Sequence, residues 1–166
     1  MLTAAKGIVV EVGIGSALDL AYYSSNVVHP CGIDASSELL QMTRQKTEGI
    51  AFPVTLLNHT VERIPLENHS RDTVVMTWVL CSIAEDLTAL REMKRVLKPD
   101  GRLLFLEHGF APELKIQSWQ NRLAPIWKRI GGGCWPNNKI DELISRAGFA
   151  IRELRNSHMP GPKPMA

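Results

Sequence analysis

Disulfides are the first thing this chain has little means to build. Its three cysteines, Cys31, Cys81 and Cys134, are far apart, odd in number and without a Cys-x-x-Cys pair. That pattern argues against a disulfide framework or a cysteine zinc site and for reduced thiols in a cytoplasmic protein. His29, His59, His69 and His158 show no ligand spacing, so no metal is expected. No apolar run approaches the roughly 20 residues that cross a bilayer. The N-terminus has a single lysine, Lys6, before an apolar strand, which is not the pattern of a signal peptide, and no membrane anchor is expected. Charge of one sign is also missing. Nineteen Lys and Arg stand against 17 Asp and Glu, a net charge of +2. The basic residues do not gather into one run, so no nucleic-acid partner is expected.

What remains is ordinary globular material. Hydrophobic residues make up 45% and charged residues 22%, and the length suits one domain rather than two. There is no internal repeat and no low-complexity linker. The expected domain covers residues 1–157, with a loose, proline-containing tail over 158–166.

The periodicity alternates between two kinds of segment. Gly7-Ile-Val-Val-Glu-Val12 is short, β-branched and continuous rather than alternating, a pattern that suits a strand buried on both faces of a parallel sheet. Further strands are expected over 27–33, ending at Asp34, and over 52–57, 72–77, 102–107 and 149–154. Between them, helices are expected over 18–25, from a Ser36 or Ser37 cap through Leu39, Leu40 and Met42, and over 86–97, 113–130 and 139–147. Lys98-Pro-Asp-Gly101 stops the fourth of these strands' preceding helix, the triplet 131–133 breaks the next, Asn138 caps the last, and Gly148 ends it. Strands alternating with helices predict an α/β fold with a mainly parallel sheet covered on both faces.

In such a sheet a ligand sits beyond the carboxyl ends of the strands. Gly13 and Gly15 fall there, directly after the first strand, where glycine lets the backbone turn and approach a ligand. The next helix would present free N–H groups to a phosphate or carboxylate. Glu11 closes the first strand. Asp34 closes the second, about 20 residues beyond the loop, where a carboxylate can accept from both hydroxyls of a ribose. These features suit any nucleoside-containing cofactor. The dinucleotide pattern GxGxxG would need glycine at position 18, which is Leu18.

Val10-Glu-Val-Gly-Ile-Gly-Ser-Ala17 resembles the first motif of class I S-adenosylmethionine-dependent methyltransferases, ExGxGxG. Gly32-Ile-Asp-Ala-Ser36 resembles their second motif, and Val61-Glu-Arg-Ile-Pro65 the loop that passes the adenine. The segment from Asp72 through Trp78 to Ser82 resembles the fourth strand and its cofactor-facing end. Leu97-Lys-Pro-Asp-Gly-Arg-Leu-Leu-Phe-Leu-Glu-His-Gly109 resembles the turn and fifth strand. Leu80-Cys-Ser-Ile83, Glu107-His-Gly109 and Gly133-Cys134 resemble the small-molecule branch, the methyltransferase-like and ubiquinone-biosynthesis type. The resemblance implies a Rossmann-like fold, S-adenosylmethionine as cofactor and a small methyl acceptor. It implies that Gly13 and Gly15 line the methionine part of the cofactor. Glu11 orients the loop or reaches the ammonium group through water. Asp34 holds the ribose, Ala35 and Val61 flank the adenine, and Thr77 and Trp78 stand at the methionine end. Ala17 replaces the third glycine, and Thr60 stands where an acidic residue often meets the adenine amine. The family's seventh strand is not readable. Without it the fifth strand would pair with the sixth directly or be left as an open apolar edge, and from an open edge a homodimer or an aggregation-prone monomer is expected.

Methyl transfer from a sulfonium is an in-line displacement in which positioning is the protein's main task, and a base is needed only if the nucleophile must lose a proton. Glu107 and His108, at the end of the fifth strand, are the candidates for a base or a substrate anchor. Trp119 and Trp127, eight residues apart on the expected helix over 113–130, fit a pocket wall or core packing equally. Cys81 and Cys134 read as small buried apolar residues. Two alternatives stand beside the enzyme: a non-catalytic cofactor- or partner-binding module of the same fold, and an NAD-binding oxidoreductase domain, against which Leu18 and the 97–101 turn argue.

Overall fold

The computed structural model describes residues 1–47, 52–107, 118, 122 and 139–156. Five strands form one sheet in the order β3-β2-β1-β4-β5: β1 (Gly7–Val12), β2 (Val27–Asp34), β3 (Thr55–Asn58), β4 (Arg71–Thr77) and β5 (Leu97–Leu106). Every pairing is parallel. β1 lies in the middle, which explains why apolar residues occupy both of its faces: Val9, Val10 and Val12 are all fully buried. This is the parallel, Rossmann-like sheet expected from the sequence.

Alternation along the strands sorts side chains onto two faces. Val10, Val12, Cys31, Ile33, Val74 and Met76 join the larger core. Helix α2 (Asp86–Val96) covers it with Ala89, Leu90, Met93 and Val96, one apolar stripe at helical spacing. Helix α3 (Ile140–Arg146) adds Ile140 and Ile144. On the other face, Val9 and Val75 pack with Ala5 and Val27. Beside them Leu40 of helix α1 (Ser37–Thr47) packs with Ile14, Ala17 and Leu20. Ser36 caps α1, its Oγ accepting the Leu39 N–H at 3.2 Å.

Four expectations are corrected. The helix expected over 18–25 is a single 3-10 turn, Asp19–Tyr22. The polar run that follows competes for the backbone: Asn26 N–H donates to Ser24 Oγ at 3.4 Å and Val27 N–H to Ser24 O at 3.1 Å. The strand expected over 149–154 is absent, and residues 149–156 join no ladder. There the backbone serves the end of α3. Phe149 N–H donates to Ile144 O, Gly148 takes a left-handed φ of 86°, and Lys94 Nζ donates to Gly148 O. Among the described residues β5 therefore has β4 as its neighbour and an open edge beyond. Finally, β5 begins at Leu97 rather than at 102. Arg71 pairs with Leu97 and Thr73 with Arg102, so the Lys98-Pro-Asp-Gly101 turn is a bulge within the ladder, tied down by Lys98 Nζ on Asp72 Oδ1 at 2.6 Å. β3 is shorter than expected, starting at Thr55.

The helix expected over 113–130 lies outside the described residues apart from Ser118 and Arg122, both helical. Trp119, Trp127, the 131–133 triplet, Cys134, Asn138 and the 158–166 tail also lie outside them. No helix among the described residues is long and apolar enough to cross a membrane, and no group of three or more metal-ligating side chains occurs among them.

Candidate functional site

A cleft of about 510 Å³ opens at the carboxyl ends of β1, β2 and β4, within the ~300–1,000 Å³ usual for small-molecule sites. It brings together Gly13, Gly15, Asp34, Ala35, Val61 and Trp78, six of the eight residues singled out from the sequence for cofactor binding.

The floor is the loop after β1. Gly13 and Gly15 take positive φ, 69° and 53°. A Cβ on Gly13 would stand 2.3 Å from Val79 Cγ2, whereas one on Gly15 would meet nothing closer than Gly13 O at 3.9 Å. Ala17, at the third glycine's position, also adopts φ 60° and is buried, so the loop keeps a glycine-like backbone with a methyl group added.

Asp34 fixes this loop to the end of β2. Its Oδ2 accepts the Gly15 N–H at 2.9 Å and its Oδ1 the Ser36 N–H at 2.9 Å. Each oxygen keeps acceptor capacity for a further donor. Helix α1 grips the same loop from outside: fully buried Thr43 donates from Oγ1 to Gly15 O at 2.6 Å, and Lys46 Nζ donates to Ser16 O at 2.9 Å. Neither was singled out from the sequence. Thr43 could have been, since it lies three residues after buried Leu40 on the same face.

Glu11 and Thr77 do not line the cleft. Glu11 is 4% exposed and accepts from Tyr23 Oη at 2.7 Å, on the face of β1 opposite Val10 and Val12. Burial pushes its carboxyl up to about 8, against the lowering effect of the Tyr23 hydrogen bond, with Asp19 raising it further. The Tyr23 hydroxyl is pushed upward by burial and by Glu11. Thr77 Oγ1 is buried without a hydrogen-bond partner.

One rim of the cleft is the segment after β4. Trp78 has φ 54°, rare for a bulky residue, and its N–H donates to Leu106 O at 2.9 Å. Val79, Ser82, Ile83 and Ala84 continue the rim, with the 3-10 turn Leu80–Ser82 between. Glu107 supports it: its Oε1 accepts the Val79 and Leu80 N–H groups at 2.8 and 2.9 Å. Burial pushes the Glu107 carboxyl up while the Leu80 and Val79 N–H groups pull it down. His108 lies outside the described residues.

The other rim is His59, Thr60, Val61 and Glu62. The chain just beyond it is clamped to α2. All five Arg95 guanidinium hydrogen bonds are used: on Glu92 Oε1 and Oε2, on the Ile64 and Leu66 carbonyls, and on Asn68 Oδ1, all at 2.7–2.8 Å. Glu92 Oε2 also accepts the Ile64 N–H at 2.9 Å. Arg95's hydrogen bonds hold the Glu92 carboxyl below its ordinary range. Arg95→Ala would strand two carbonyls and a carboxylate. Unfolding in urea should show a loss of about 2–3 kcal/mol for Arg95→Ala, and a smaller loss for Arg95→Lys, which keeps the charge but not the fork.

A parallel sheet with a glycine loop, a carboxylate at the tip of the second strand and a cleft across their ends defines a nucleoside-cofactor-binding domain of Rossmann type. The particular family follows from comparison. The model of the methyltransferase domain family matches residues 10–105, and the chain belongs to that family. It is 30% identical over 148 residues to the thiol S-methyltransferase TMT1B of Rattus norvegicus, covering 87% of this chain and 60% of that protein. It is 29% identical over 166 residues to the ubiquinone/menaquinone biosynthesis C-methyltransferase UbiE of Campylobacter jejuni, covering 91% of this chain and 65% of that protein. The chain thus spans less than two thirds of the length of these curated relatives. The crystal structure of the YcgJ protein of Bacillus subtilis superposes with a TM-score of 0.72 at 24% identity, over 86% of this chain and 60% of that one.

Proposed function

We propose that this chain binds S-adenosylmethionine in the cleft and transfers its methyl group to a small, partly apolar acceptor. The observation that carries the reading is Asp34: a carboxylate at the mouth of the cleft, beside a positive-φ glycine loop, held by one N–H on each oxygen with acceptor capacity left over.

The residues present fit the cofactor. Asp34 would take the ribose hydroxyls. Ala35 and Leu39 on one side and Val61 on the other offer apolar surfaces to an adenine ring. The open space over Gly15 would admit the methionine portion close to the backbone, toward Trp78. Thr60, on the same rim as Val61, would bring no carboxylate to the adenine, and Glu62 is the acidic side chain of that rim. When bound, S-adenosylmethionine supplies a methyl group already activated on a cationic sulfur. The chain's own task is orientation and exclusion of water. The loop is fixed for it from two sides, by Asp34 at the end of β2 and by Thr43 and Lys46 of α1. Glu11 contributes from behind the strand, through Tyr23. The two curated relatives are named for transfer to sulfur and to carbon, so family membership supports a small-molecule acceptor of either kind. It also sets the dinucleotide oxidoreductase reading aside. Cys31 and Cys81, both buried and neither in a disulfide, suit a reducing compartment such as the cytoplasm.

Calorimetric titration with S-adenosylhomocysteine tests the reading. Wild type should bind with micromolar affinity. Asp34→Ala should lose about 1.5–3 kcal/mol, roughly tenfold to hundredfold, with its fold checked by thermal unfolding. A folded wild type that binds neither S-adenosylhomocysteine nor S-adenosylmethionine would leave a partner-binding module of the same fold as the better account.

A further inference from the structure

Glu107 is the one acidic side chain at the carboxyl end of β5, and its position invites the role of a general base. Its geometry speaks for something else. It is not among the residues lining the cleft. Its Oε1 already accepts two consecutive backbone N–H groups, those of Val79 and Leu80. Consecutive amides that converge on one acceptor form a small anion-binding concavity. Here the acceptor is Glu107 Oε1, just past the end of the neighbouring strand.

The segment gripped in this way has need of a grip. Trp78, immediately before it, is left-handed at φ 54°, a conformation that costs a bulky residue free energy and persists only where its surroundings enforce it. The Trp78 N–H is fixed on Leu106 O, and the next two N–H groups are fixed on Glu107. All three restraints come from Leu106, the last residue of β5, and from Glu107 just beyond it. What they hold is a cleft wall. Trp78, Val79, Ser82, Ile83 and Ala84 line it, and Val79 stands against the Cα of Gly13, where no Cβ would fit.

We propose that Glu107 is a positioning residue, which sets the Trp78 wall of the cleft and its contact with the glycine loop by accepting the Val79 and Leu80 N–H groups. The inference deepens the cofactor reading of the same cleft. The restraint itself requires no ligand.

The role depends on the reach of an acceptor oxygen and not on charge or on a titratable proton. Three variants separate these. Glu107→Gln keeps the length and one acceptor oxygen. Glu107→Asp keeps the carboxylate but withdraws it by one methylene. Glu107→Ala removes both. Amide hydrogen exchange without ligand should show Val79 and Leu80 protected to within about threefold of wild type in Glu107→Gln, and less protected by about tenfold or more in Glu107→Asp and Glu107→Ala. Affinity for S-adenosylhomocysteine should follow the same order. The opposite order, with Asp near wild type and Gln impaired, would overturn the proposal in favour of a charge or base role, as would equal protection of both amides in all folded variants. Should Glu107→Ala not fold, the Gln and Asp pair decides alone. Loss of protection in a protein that never bound S-adenosylhomocysteine would sink the cofactor reading and leave this one standing.

Discussion

Between pH 5 and pH 8 the wild-type protein should lose stability steadily, and Glu11→Gln should not share that part of the loss. Glu11 is buried on the central strand with a single hydrogen-bond partner, Tyr23 Oη. Desolvation is the largest influence on it and lifts the carboxyl from 4.5 to about 8. The sign follows from proton counts. Below pH 4.5 the group is protonated in both states and contributes no pH dependence. Above 4.5 the unfolded chain releases its proton while the folded chain keeps it. The folded state then binds more protons, so unfolding becomes easier as pH rises. The slope for one proton is at most about 1.4 kcal/mol per pH unit. It vanishes above about 8, where the folded carboxyl also ionises. The whole effect is on the order of a few kcal/mol.

Gln at position 11 has no proton to lose, and its carbonyl can still accept from Tyr23. Its amide N–H groups have no evident partner, a cost of roughly 1–2 kcal/mol. The two stability curves should therefore cross. Wild type is the more stable at pH 5 and Glu11→Gln the more stable at pH 8. Urea unfolding at five or six pH values measures both. Every other group is common to both proteins, so the difference between the curves isolates Glu11. Parallel curves would mean that Glu11 ionises in the fold as freely as outside it.

That carboxylate shows what kind of information the sequence carried. Strand identity was legible because a central parallel strand must be apolar on both faces, and the run from Gly7 to Val12 has nowhere else to go. An acidic residue inside such a run was visible too. Its partner was not: Tyr23 is twelve residues away, beyond the loop, in a segment that read as helix and folds as a 3-10 turn followed by polar residues that bond their own backbone. The cofactor-facing end was legible for a different reason. Glycines with positive φ and a carboxylate at the tip of β2 are demands of local geometry, written at fixed spacing. Thr43, Lys46 and the Arg95 clamp depend on which residues face each other across the fold, and no local spacing encodes them. The strand expected over 149–154 failed because Phe149 and Ile151 do pack on the core, so their pattern was right. Strand formation also needs backbone partners, and here the Gly148 and Phe149 N–H groups go to the end of α3 and the Gly148 carbonyl to Lys94.

The two loop glycines, alike in the motif, should fail in different ways. Gly13→Ala should cost stability and Gly15→Ala should cost affinity. Both have positive φ, which costs an alanine roughly 1 kcal/mol. Ala17 shows that this loop tolerates that penalty, since it sits at φ 60° in the native protein. The difference lies in the space around them. At position 13 the new methyl would lie 2.3 Å from Val79 Cγ2 and 2.7 Å from Val79 Cβ. Val79 cannot retreat easily, because its N–H is held by Glu107 and the buried Leu80 follows it. Overpacking adds about 1–3 kcal/mol, so Gly13→Ala should lose about 2–4 kcal/mol in urea unfolding. Val79→Ala in the same chain should recover only part of this, because its Cβ remains in the way. At position 15 the methyl meets no atom closer than 3.9 Å, and unfolding should shift by about 1 kcal/mol or less. That space, however, belongs to the cleft. A ligand that approaches the backbone there would meet the methyl first, and S-adenosylhomocysteine titration should show a loss of about tenfold or more. If Gly15→Ala bound as tightly as wild type, the cofactor would not pass over this loop, and the orientation proposed for it would have to be abandoned.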